Sequence, residues 1–246
     1  MDRPVPCVDD DLGVYAIGDI HGRDDLLAEM HRLIVEDAKA QGTQRNRIVY
    51  LGDYVDRGSS SREVIDALIA APPESFDAIH LKGNHEDYMI RFLAGDLAVG
   101  HGWLMNGGPQ TMMSYGVLAD DPVGPDDLAD LRDALDAAVP ASHRTFLDAL
   151  SLHHVEGDYL FVHAGIRPEV PLDEQEEADL IWIREEFLNS KTIHDKMVVH
   201  GHSIARKPQI RANRIGIDTG AFATGVLTCL ALNGERREIL QTGRRG

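Results

Sequence analysis

The fold of this chain is decided by one stretch, Ile48-Val49-Tyr50-Leu51-Gly52-Asp53-Tyr54-Val55-Asp56-Arg57-Gly58. Its first four residues are apolar or aromatic, which is typical of a buried strand. The rest is a glycine-flanked turn that carries two carboxylates and one guanidinium. Taken alone, Asp53 could equally be a helix cap. In open α/β sheets, however, ligands bind at the carboxyl ends of the strands, so the stretch predicts an α/β fold with polar chemistry at one sheet edge.

The composition is that of an ordinary globular chain. With 246 residues, 43% of them hydrophobic, it is long enough to bury one substantial core, and we expect a single domain over residues 1–246. No apolar run approaches the roughly 18 residues of a membrane span, and residues 1–7 lack the regions of a signal peptide. Cys7 and Cys229 are too few for a disulfide framework. We therefore expect a cytoplasmic protein.

The net charge of −17 narrows the range of partners. It argues against nucleic acids and against an anionic membrane surface. A phosphate group could still bind if multivalent metal ions supplied local positive charge, and the twelve histidines offer ligands. Most of these histidines have no ligand-like neighbours, and we interpret them as surface or packed residues: His31, His80, His101, His143, His153, His154 and His194.

Two further units of strand, turn and helix flank the opening one. Apolar strands are predicted at residues 14–17 and 78–81, and each is followed by a turn and then by apolar residues at helical spacing. The turns read Gly18-Asp19-Ile20-His21-Gly22 and Gly83-Asn84-His85-Glu86. Three consecutive units of this kind predict a largely parallel sheet with right-handed crossovers, whose turns share one edge.

The remaining chain has two different characters. Residues 95–150 are predicted to be a helical insertion, with an acidic face that we expect to be solvated: Asp126, Asp127, Asp130, Asp133 and Asp136. Short strands are predicted after it, at residues 159–162, 197–199, 215–217, 226–232 and 238–241. A second sheet packed on the first accounts for them. The predicted fold is therefore α/β, with two packed mixed β-sheets flanked by helices.

The polar residues of the turns have the character of metal ligands. The first three turns carry Asp19, His21, Asp53 and Asn84. They are about 30 residues apart, which is the length of one helical crossover, so strand order alone brings them together. Such ligands suit divalent Mn, Fe or Zn, and the absence of thiolates argues against a structural zinc site. Two histidines at later strand ends, His163 and His202, complete the set, and His200 could share a face with His202 by alternation.

Five blocks of this sequence resemble, in order, the motif blocks of the calcineurin-like metallophosphoesterases. They are Gly18-Asp19-Ile20-His21-Gly22, Gly52-Asp53-Tyr54-Val55-Asp56-Arg57-Gly58, Gly83-Asn84-His85-Glu86, His163-Ala164-Gly165 and Gly201-His202. More narrowly, they resemble the phosphoprotein phosphatase branch in its bacterial-type form. One block alone is a moderate signal, whereas all of them in order, each at a strand end, make a chance match improbable. The resemblance runs from about residue 14 to residue 218.

The resemblance implies two divalent metal ions, of which manganese is the one we expect and iron or zinc are alternatives. One ion would be bound by Asp19, His21 and Asp53. The other would be bound by Asp53, Asn84, His163 and His202, so that Asp53 bridges the two. A hydroxide that bridges the metals would then attack phosphorus directly.

The resemblance also implies roles around the substrate. His85 would be the general acid and Asp56 the carboxylate that orients it, although His85 could instead be a supporting residue. Arg57 and Asn84 would bind phosphate, and the alternative for Arg57 is an ion pair with Asp56. Arg184 resembles a second phosphate clamp, or it forms a surface ion pair with Glu185 or Glu186. Asp218 is a partner of a metal-bound histidine or a turn residue.

Departures from the family pattern bear on the substrate. Symmetrical diadenosine tetraphosphate hydrolases share several of the blocks but typically have alanine in place of Asp56. We therefore expect a phosphomonoesterase that acts on phosphoserine, phosphothreonine or phosphotyrosine of proteins. The alternative is a hydrolase of diadenosine tetraphosphate or another nucleotide. An interpretation of another class is a non-catalytic, metal-stabilised module whose acidic insertion binds a basic partner.

Overall fold

The computed structural model of the protein describes residues 4–70, 72–73, 75–118, 124 and 127–243. The strands in this part are β1 Leu12–Ile17, β2 Arg45–Tyr50, β3 Phe76–His80, β4 His153–Glu156, β5 Tyr159–Val162, β6 Met197–His200, β7 Gln209–Ile210, β8 Arg214–Gly216, β9 Thr228–Asn233 and β10 Arg236–Gln241. The helices are α1 Asp24–Gln41, α2 Ser61–Ile69, α3 Asn84–Leu93, α4 Gly100–Met105, α5 Gly108–Ser114, α6 Asp127–Ala138, α7 Ala141–Asp148, α8 Glu177–Trp182, α9 Glu185–Leu188 and α10 Ala221–Thr224.

The first sheet has the strand order β10-β9-β1-β2-β3. β1, β2 and β3 run parallel, which confirms the three predicted units, with Leu12 opposite Arg45 and Asn46 opposite Phe76. β9 returns antiparallel to β1, and β10 pairs antiparallel with β9. The assignment of the predicted strands 226–232 and 238–241 to the second sheet is therefore wrong, because they extend the first sheet beyond β1. The sheet is therefore mixed, and its parallel strands direct their carboxyl ends to one edge.

The second sheet has the strand order β4-β5-β6-β8-β7. Its two edge strands, β4 and β7, were not predicted from the sequence. β4 is polar and alternates between exposed and half-buried positions, and β7 has only two residues. Because an edge strand buries little apolar surface, neither carries the apolar run by which the inner strands are recognised.

The two sheets pack face to face around a core of aliphatic and aromatic side chains. This core includes Val14 and Ala16 of β1, Phe161 of β5, Val199 of β6 and Ile215 of β8. The other face of the first sheet is covered by helices that include α1, α2 and α3, and that of the second sheet by α8 and α9. The predicted arrangement of two mixed sheets flanked by helices is confirmed.

Residues 95–150 contain α4, α5, α6 and α7. The predicted acidic face includes Asp126, which lies outside the described residues. The other four carboxylates belong to α6 and are exposed as expected: Asp127, Asp130, Asp133 and Asp136. The turn between α4 and α5 packs against the stretch that follows β2, since the Arg57 N–H donates to the Gly107 carbonyl at 3.3 Å. That this region is an insertion in a single domain stays a prediction.

The helices are amphipathic or short. The longest described one, α1, has 18 residues and carries Asp, Glu, Lys and Arg side chains along its length. Within the ranges given above, no helix combines the length and the apolar character that crossing a bilayer requires.

Candidate metal centre

The turns at the carboxyl ends of five strands converge at one place. Asp19 and His21 follow β1, Asp53 follows β2, Asn84 and His85 begin α3 after β3, His163 follows β5, and His202 follows β6. Seven polar side chains are buried here, none of them more than 5% exposed: Asp19, His21, Asp53, Asn84, His85, His163 and His202. The structure thus brings together every residue that the sequence predicts as a metal ligand, together with the predicted general acid.

Asp53 stands between two groups of ring nitrogens. Its Oδ2 lies 3.5 Å from His21 Nε2 and 3.8 Å from His85 Nε2. Its Oδ1 lies 3.4 Å from His163 Nε2, and His202 belongs to the same group. The two oxygens of one carboxylate therefore face two separate groups, as a bridging ligand would. The bridging role itself stays a prediction.

The protonation of the rings suits metal binding. His21 Nδ1 donates to the Val55 carbonyl at 2.7 Å, and His163 Nδ1 donates to the Leu51 carbonyl at 2.8 Å. Each Nε2 of these neutral rings therefore carries a lone pair, and each lies within 3.5 Å of an Asp53 carboxylate oxygen. Histidines that bind metals are characteristically oriented through a bond from the other ring nitrogen to a carbonyl or a carboxylate.

Two further acceptor atoms, Asn84 Oδ1 and His202 Nε2, belong to the side of the site around His163. Asn84 Oδ1 lies 3.0 Å from His163 Nε2, so another acceptor faces the same nitrogen. His202 Nε2 is buried, and it has no hydrogen-bond partner within the described chain. Imidazole nitrogens and oxygen acceptors that converge in this way are ligands that suit divalent transition-metal ions, so the residues present fit the two metals implied by the resemblance.

The electrostatics of the site favour the metal-binding forms of these groups. Burial lowers the pKa of His21 to about 3 and the pKa of His202 to about 2, which keeps both rings neutral near pH 7. Burial opposes ionisation of Asp53, but the imidazoles of His163 and His85 outweigh it and hold the Asp53 pKa below the ordinary carboxyl range. Neutral imidazole and ionised carboxylate are the forms that bind a metal.

Asp19 lies beside these two groups but belongs to neither. Both of its carboxylate oxygens accept the His202 backbone N–H, each at 3.1 Å. Glycine is needed at position 201, because a Cβ there would stand 2.1 Å from Asp19 Oδ1. Burial, and after it the charges of Asp218 and Asp53, raises the pKa of Asp19. Its role as a metal ligand stays a prediction.

His85 and Asp56 form a buried pair. His85 Nδ1 donates to Asp56 Oδ2 at 2.6 Å. Burial opposes protonation of His85, but the carboxylates of Asp53 and Asp56 outweigh it, so the His85 pKa is raised. The predicted partners therefore lie in hydrogen-bond contact, which a positioned proton donor requires.

The Asp56 carboxylate is held by residues to which sequence reasoning gave no role. Trp103 Nε1 donates to both of its oxygens, and Thr111 Oγ1 donates to Oδ1 at 2.6 Å. The Asp56 backbone N–H in turn donates to Thr111 Oγ1 and Ser61 Oγ. Trp103 and Thr111 follow Asp56 by 47 and 55 residues, and no spacing pattern in the sequence connects them to it.

Glu86 is a second residue that sequence reasoning left without a role. It is fully buried and accepts the backbone N–H groups of Asp53, Tyr54 and Gly83 at 2.7 to 2.9 Å. Burial and the Asp53 charge raise the pKa of Glu86 to about 7. The side chain ties the turn after β2 to the start of α3. Its position inside the third motif block was the only available signal.

Backbone strain is concentrated in this site. Seven non-glycine residues in the described chain have positive φ, and five of them belong to the converging turns: His21, Asp53, Asp56, Arg57 and His202. Residues with a side chain rarely adopt this region, and such strain persists only where surrounding structure holds it, often at functional sites. The surrounding hydrogen bonds therefore fix the ligand directions against a local preference for other conformations.

Arg57 directs its guanidinium at the histidines. It donates to His21 Nε2 at 3.0 Å and to His85 Nε2 at 3.1 Å, and its charged end lies over the Phe222 ring at 4.9 Å. Among the described residues it forms no ion pair with Asp56, so the alternative considered for it is not what the structure contains. Two N–H groups of Arg57 are therefore directed at the ring nitrogens, and its role in binding phosphate stays a prediction.

Arg184 lies at the start of α9 and is exposed. In the described part of the chain it forms no ion pair with Glu185 or Glu186, and Glu186 accepts from Arg167 instead, at 3.1 Å. Burial is the main cause of the low His202 pKa, and the Arg184 charge lowers that pKa further. Arg184 is therefore close enough to influence the site, and its clamp role stays a prediction.

His200 faces away from the converging turns. Its Nε2 accepts from Arg214 at 3.1 Å, and its ring meets the Phe187 ring edge to face. The expected alternation with His202 is wrong, because β6 ends at His200 and His202 has a positive φ of 60°.

Asp218 Oδ1 accepts the Gly220 N–H at 2.9 Å, which is the contact of a turn residue.

Known proteins with similar sequences include nucleosyl-tetraphosphatases and protein phosphatases. The asymmetrical bis(5'-nucleosyl)-tetraphosphatase PrpE of Anoxybacillus flavithermus is 24% identical over 234 residues, covering 87% of this chain and 88% of that protein. The serine/threonine-protein phosphatase 4 catalytic subunit of Kluyveromyces lactis is 38% identical over 86 residues, which are 35% of this chain and 26% of that protein. The crystal structure of a candidate diadenosine tetraphosphatase covers 100% of this chain and 97% of its own, with a TM-score of 0.63 and 20% identity, and shows a shared fold.

The sequence pattern of the calcineurin-like phosphoesterases matches residues 12–219, a range that contains both histidine groups around Asp53, the pair of His85 with Asp56, and Arg57. Since this match covers most of the chain, the protein belongs to the calcineurin-like phosphoesterase family.

Proposed function

We propose that this protein is a dinuclear-metal phosphatase that hydrolyses phosphomonoesters, chiefly phosphoserine and phosphothreonine of proteins. The supporting observation is the 2.6 Å hydrogen bond between His85 Nδ1 and Asp56 Oδ2. A serine or threonine alkoxide is strongly basic, so its departure gains from a positioned proton donor. A nucleotide leaves a phosphoanhydride as a weakly basic anion and needs such a donor less. The buried pair therefore favours the phosphomonoester substrate.

The proposed metals would be held by the two groups that share Asp53. Asp19, His21 and Asp53 would bind one ion, and Asp53 with Asn84, His163 and His202 the other. When bound, such ions stabilise charge on the phosphoryl oxygens and provide the hydroxide nucleophile. We propose manganese as the activating metal, and iron or zinc would suit the same nitrogen and oxygen ligands.

The chain's own residues would bind the phosphate and protonate the leaving group. Arg57 presents two N–H groups that can bind two phosphate oxygens at once, with Asn84 and Arg184 as further phosphate contacts. When Arg57 turns to a phosphate, His85 Nε2 is released from its bond to the guanidinium. His85 can then take up a proton from solvent at Nε2 and give it to the leaving oxygen, while Asp56 keeps the ring oriented through Nδ1.

A second candidate function is hydrolysis of a dinucleoside polyphosphate. It is favoured by the similarity to the asymmetrical bis(5'-nucleosyl)-tetraphosphatase PrpE, which extends over 88% of that protein. The same metals and the same arginine would serve the attacked phosphate. The two candidates differ in the leaving group and therefore in how much they depend on His85.

One comparison of substrates tests both candidates. The purified protein, supplied with Mn²⁺, is assayed on a phosphoserine peptide, a phosphotyrosine peptide and diadenosine tetraphosphate. We expect kcat/KM for the phosphoserine peptide to exceed that for diadenosine tetraphosphate at least about tenfold, and Asp53→Asn to abolish turnover. Asp173→Asn, which removes an exposed charge elsewhere, is the matched control.

The other outcomes are equally informative. The reverse preference replaces the phosphatase with the second candidate. If no substrate is turned over with Mn²⁺, Fe²⁺ or Zn²⁺, catalysis itself is refuted. In that case the non-catalytic module remains, and binding of a basic partner by the exposed carboxylates of α6 becomes the property to measure.

A further inference from the structure

One buried carboxylate near the site is not used by the proposed function. Asp218 follows β8 and is 3% exposed. Its Oδ1 accepts the Gly220 N–H, but its Oδ2 is buried and has no hydrogen-bond partner in the described part of the chain. Burying a charged oxygen without a partner is unfavourable, and most buried polar atoms in folded proteins do have one. The free oxygen therefore points to a ligand.

The backbone places Asp218 beside Asp19. Gly18, which precedes Asp19, packs tightly on Ile217, which precedes Asp218. A Cβ at Gly18 would stand 2.9 Å from the Ile217 carbonyl oxygen. The Asp218 carbonyl accepts the N–H of Ala205, in the loop that follows His202. The loops that carry Asp19, His202 and Asp218 are therefore neighbours.

Three buried carboxylates, those of Asp19, Asp53 and Asp218, are therefore carried by neighbouring loops, since the turn after β1 also hydrogen-bonds to the Asp53 carbonyl. The first two are already predicted ligands of one metal. Like charges in a low-dielectric site repel one another, and a divalent cation is the strongest local charge that can offset the repulsion. Asp218 forms no ion pair with an arginine or lysine among the described residues, so the chain itself does not neutralise it by direct contact.

We propose that Asp218 is a positioning residue of the metal centre, whose free oxygen and negative charge strengthen binding of the divalent cation on the Asp19 side. This inference rests on the proposed function, because it requires the site to bind metal. The ligand set inferred from the motif blocks does not contain Asp218, and the proposal places this residue beside that set as a support. Its contact with Gly220 is compatible with the role, since that contact uses the other oxygen.

The variant Asp218→Asn separates this role from that of a turn residue. Asparagine keeps an Oδ1 acceptor for the Gly220 N–H and removes only the charge. Asp173→Asn removes the same charge from an exposed position and serves as the control. Mn²⁺ binding is measured by calorimetry on chelator-treated protein, and thermal unfolding is measured in EDTA and in Mn²⁺.

We expect Mn²⁺ affinity to fall about 10- to 100-fold in Asp218→Asn, the usual effect of losing a residue that supports metal ligands. In EDTA the unfolding midpoint should rise by about 2–4 °C, because the repulsion with Asp19 and Asp53 is relieved. In Mn²⁺ the midpoint should fall below that of the parent, because less metal is bound. Asp173→Asn should change none of these values.

Two results overturn the proposal. One is an unchanged Mn²⁺ affinity, and the other is an equal loss of stability with and without Mn²⁺, which is the behaviour of a turn residue. If Asp218→Asn does not fold, Asp218→Ser, whose hydroxyl can accept the Gly220 N–H, is judged by the same criteria. A parent protein that binds no Mn²⁺ overturns the metal centre as well, whereas normal binding by the parent and an unaffected variant overturn this inference alone.

Discussion

Trp103 donates its indole N–H to both carboxylate oxygens of Asp56, at 3.1 and 2.9 Å, from a helix that begins more than 40 residues later in the chain. The indole is fully buried and packs on the Phe92 ring at 5.1 Å. Asp56 is thereby fixed in the orientation in which its Oδ2 accepts from His85. A residue of the region between α3 and β4 thus positions the proposed acid.

The first prediction concerns this contact. Trp103→Phe keeps an aromatic ring and removes the N–H donor, so Asp56 and His85 lose part of their alignment. We expect kcat on a phosphoserine peptide to fall about tenfold, a fraction of what a general acid contributes, and kcat on p-nitrophenyl phosphate to fall less, because its leaving group is weakly basic. Phe92→Leu disturbs the same packing without touching Asp56 and should lower both rates alike. Equal losses with Trp103→Phe contradict the prediction.

The second prediction concerns Asp56 and His85 as a unit. Asp56→Asn and His85→Asn should each lower kcat on the phosphoserine peptide roughly 10²- to 10³-fold. The double variant should be no slower than the slower single variant, because residues that act as a unit are not additive. Steady-state kinetics of the three proteins measure this. Losses that multiply would show that the two side chains act independently.

The third prediction concerns Gly83, which precedes Asn84. A Cβ at this position would stand 2.2 Å from Asp53 Oδ1. Gly83→Ala should therefore displace the shared carboxylate, weaken Mn²⁺ binding at least about tenfold and lower the free energy of unfolding by about 1–3 kcal/mol. Calorimetric Mn²⁺ titration and urea unfolding provide the two values. Gly102→Ala in α4 is the control, since its Cβ would meet the Tyr88 hydroxyl at an ordinary 3.4 Å, and it should leave Mn²⁺ binding intact.

The fourth prediction concerns pH and a histidine away from the site. Burial lowers the pKa of His31 to about 4 from 6.5, and its Nε2 lies 2.8 Å from the Tyr50 hydroxyl. Below pH 6.5, His31 binds a proton in the unfolded chain but not in the folded protein. The contribution of neutral His31 to the free energy of unfolding is therefore complete above pH 6.5 and is lost as the pH falls toward 4. The loss is up to about 1.4 kcal/mol per pH unit.

His31→Gln tests this assignment, because glutamine can still accept from Tyr50 but does not titrate. The variant's free energy of unfolding, measured in urea between about pH 7 and pH 4.5, should decline less steeply than that of the parent. Parallel declines would show that His31 is protonated as easily in the folded protein as in the unfolded chain.

The parallel part of the first sheet could be predicted from local sequence. Each of the three parallel strands contains a short apolar run and is followed by a glycine-containing turn and a helix, so they could be recognised one by one. β4 and β7 could not, because both are edge strands whose pairing depends on neighbours that only the folded sheet supplies. β9 was predicted as a strand, but its place beside β1 was not, because the two strands pair across more than 200 residues of chain.

What the amino-acid sequence determined is which residues the site contains, because Asp19, His21, Asp53, Asn84, His85, His163 and His202 each stand in a short motif at a strand end or the start of a helix. What only the tertiary structure decided is how they face one another. It directed the two oxygens of Asp53 at different histidine groups, turned His200 away from His202, and brought Trp103 and Thr111 to Asp56. A motif reflects the backbone conformation that a short stretch requires. Contacts between residues far apart in the chain form only when helices and sheets pack.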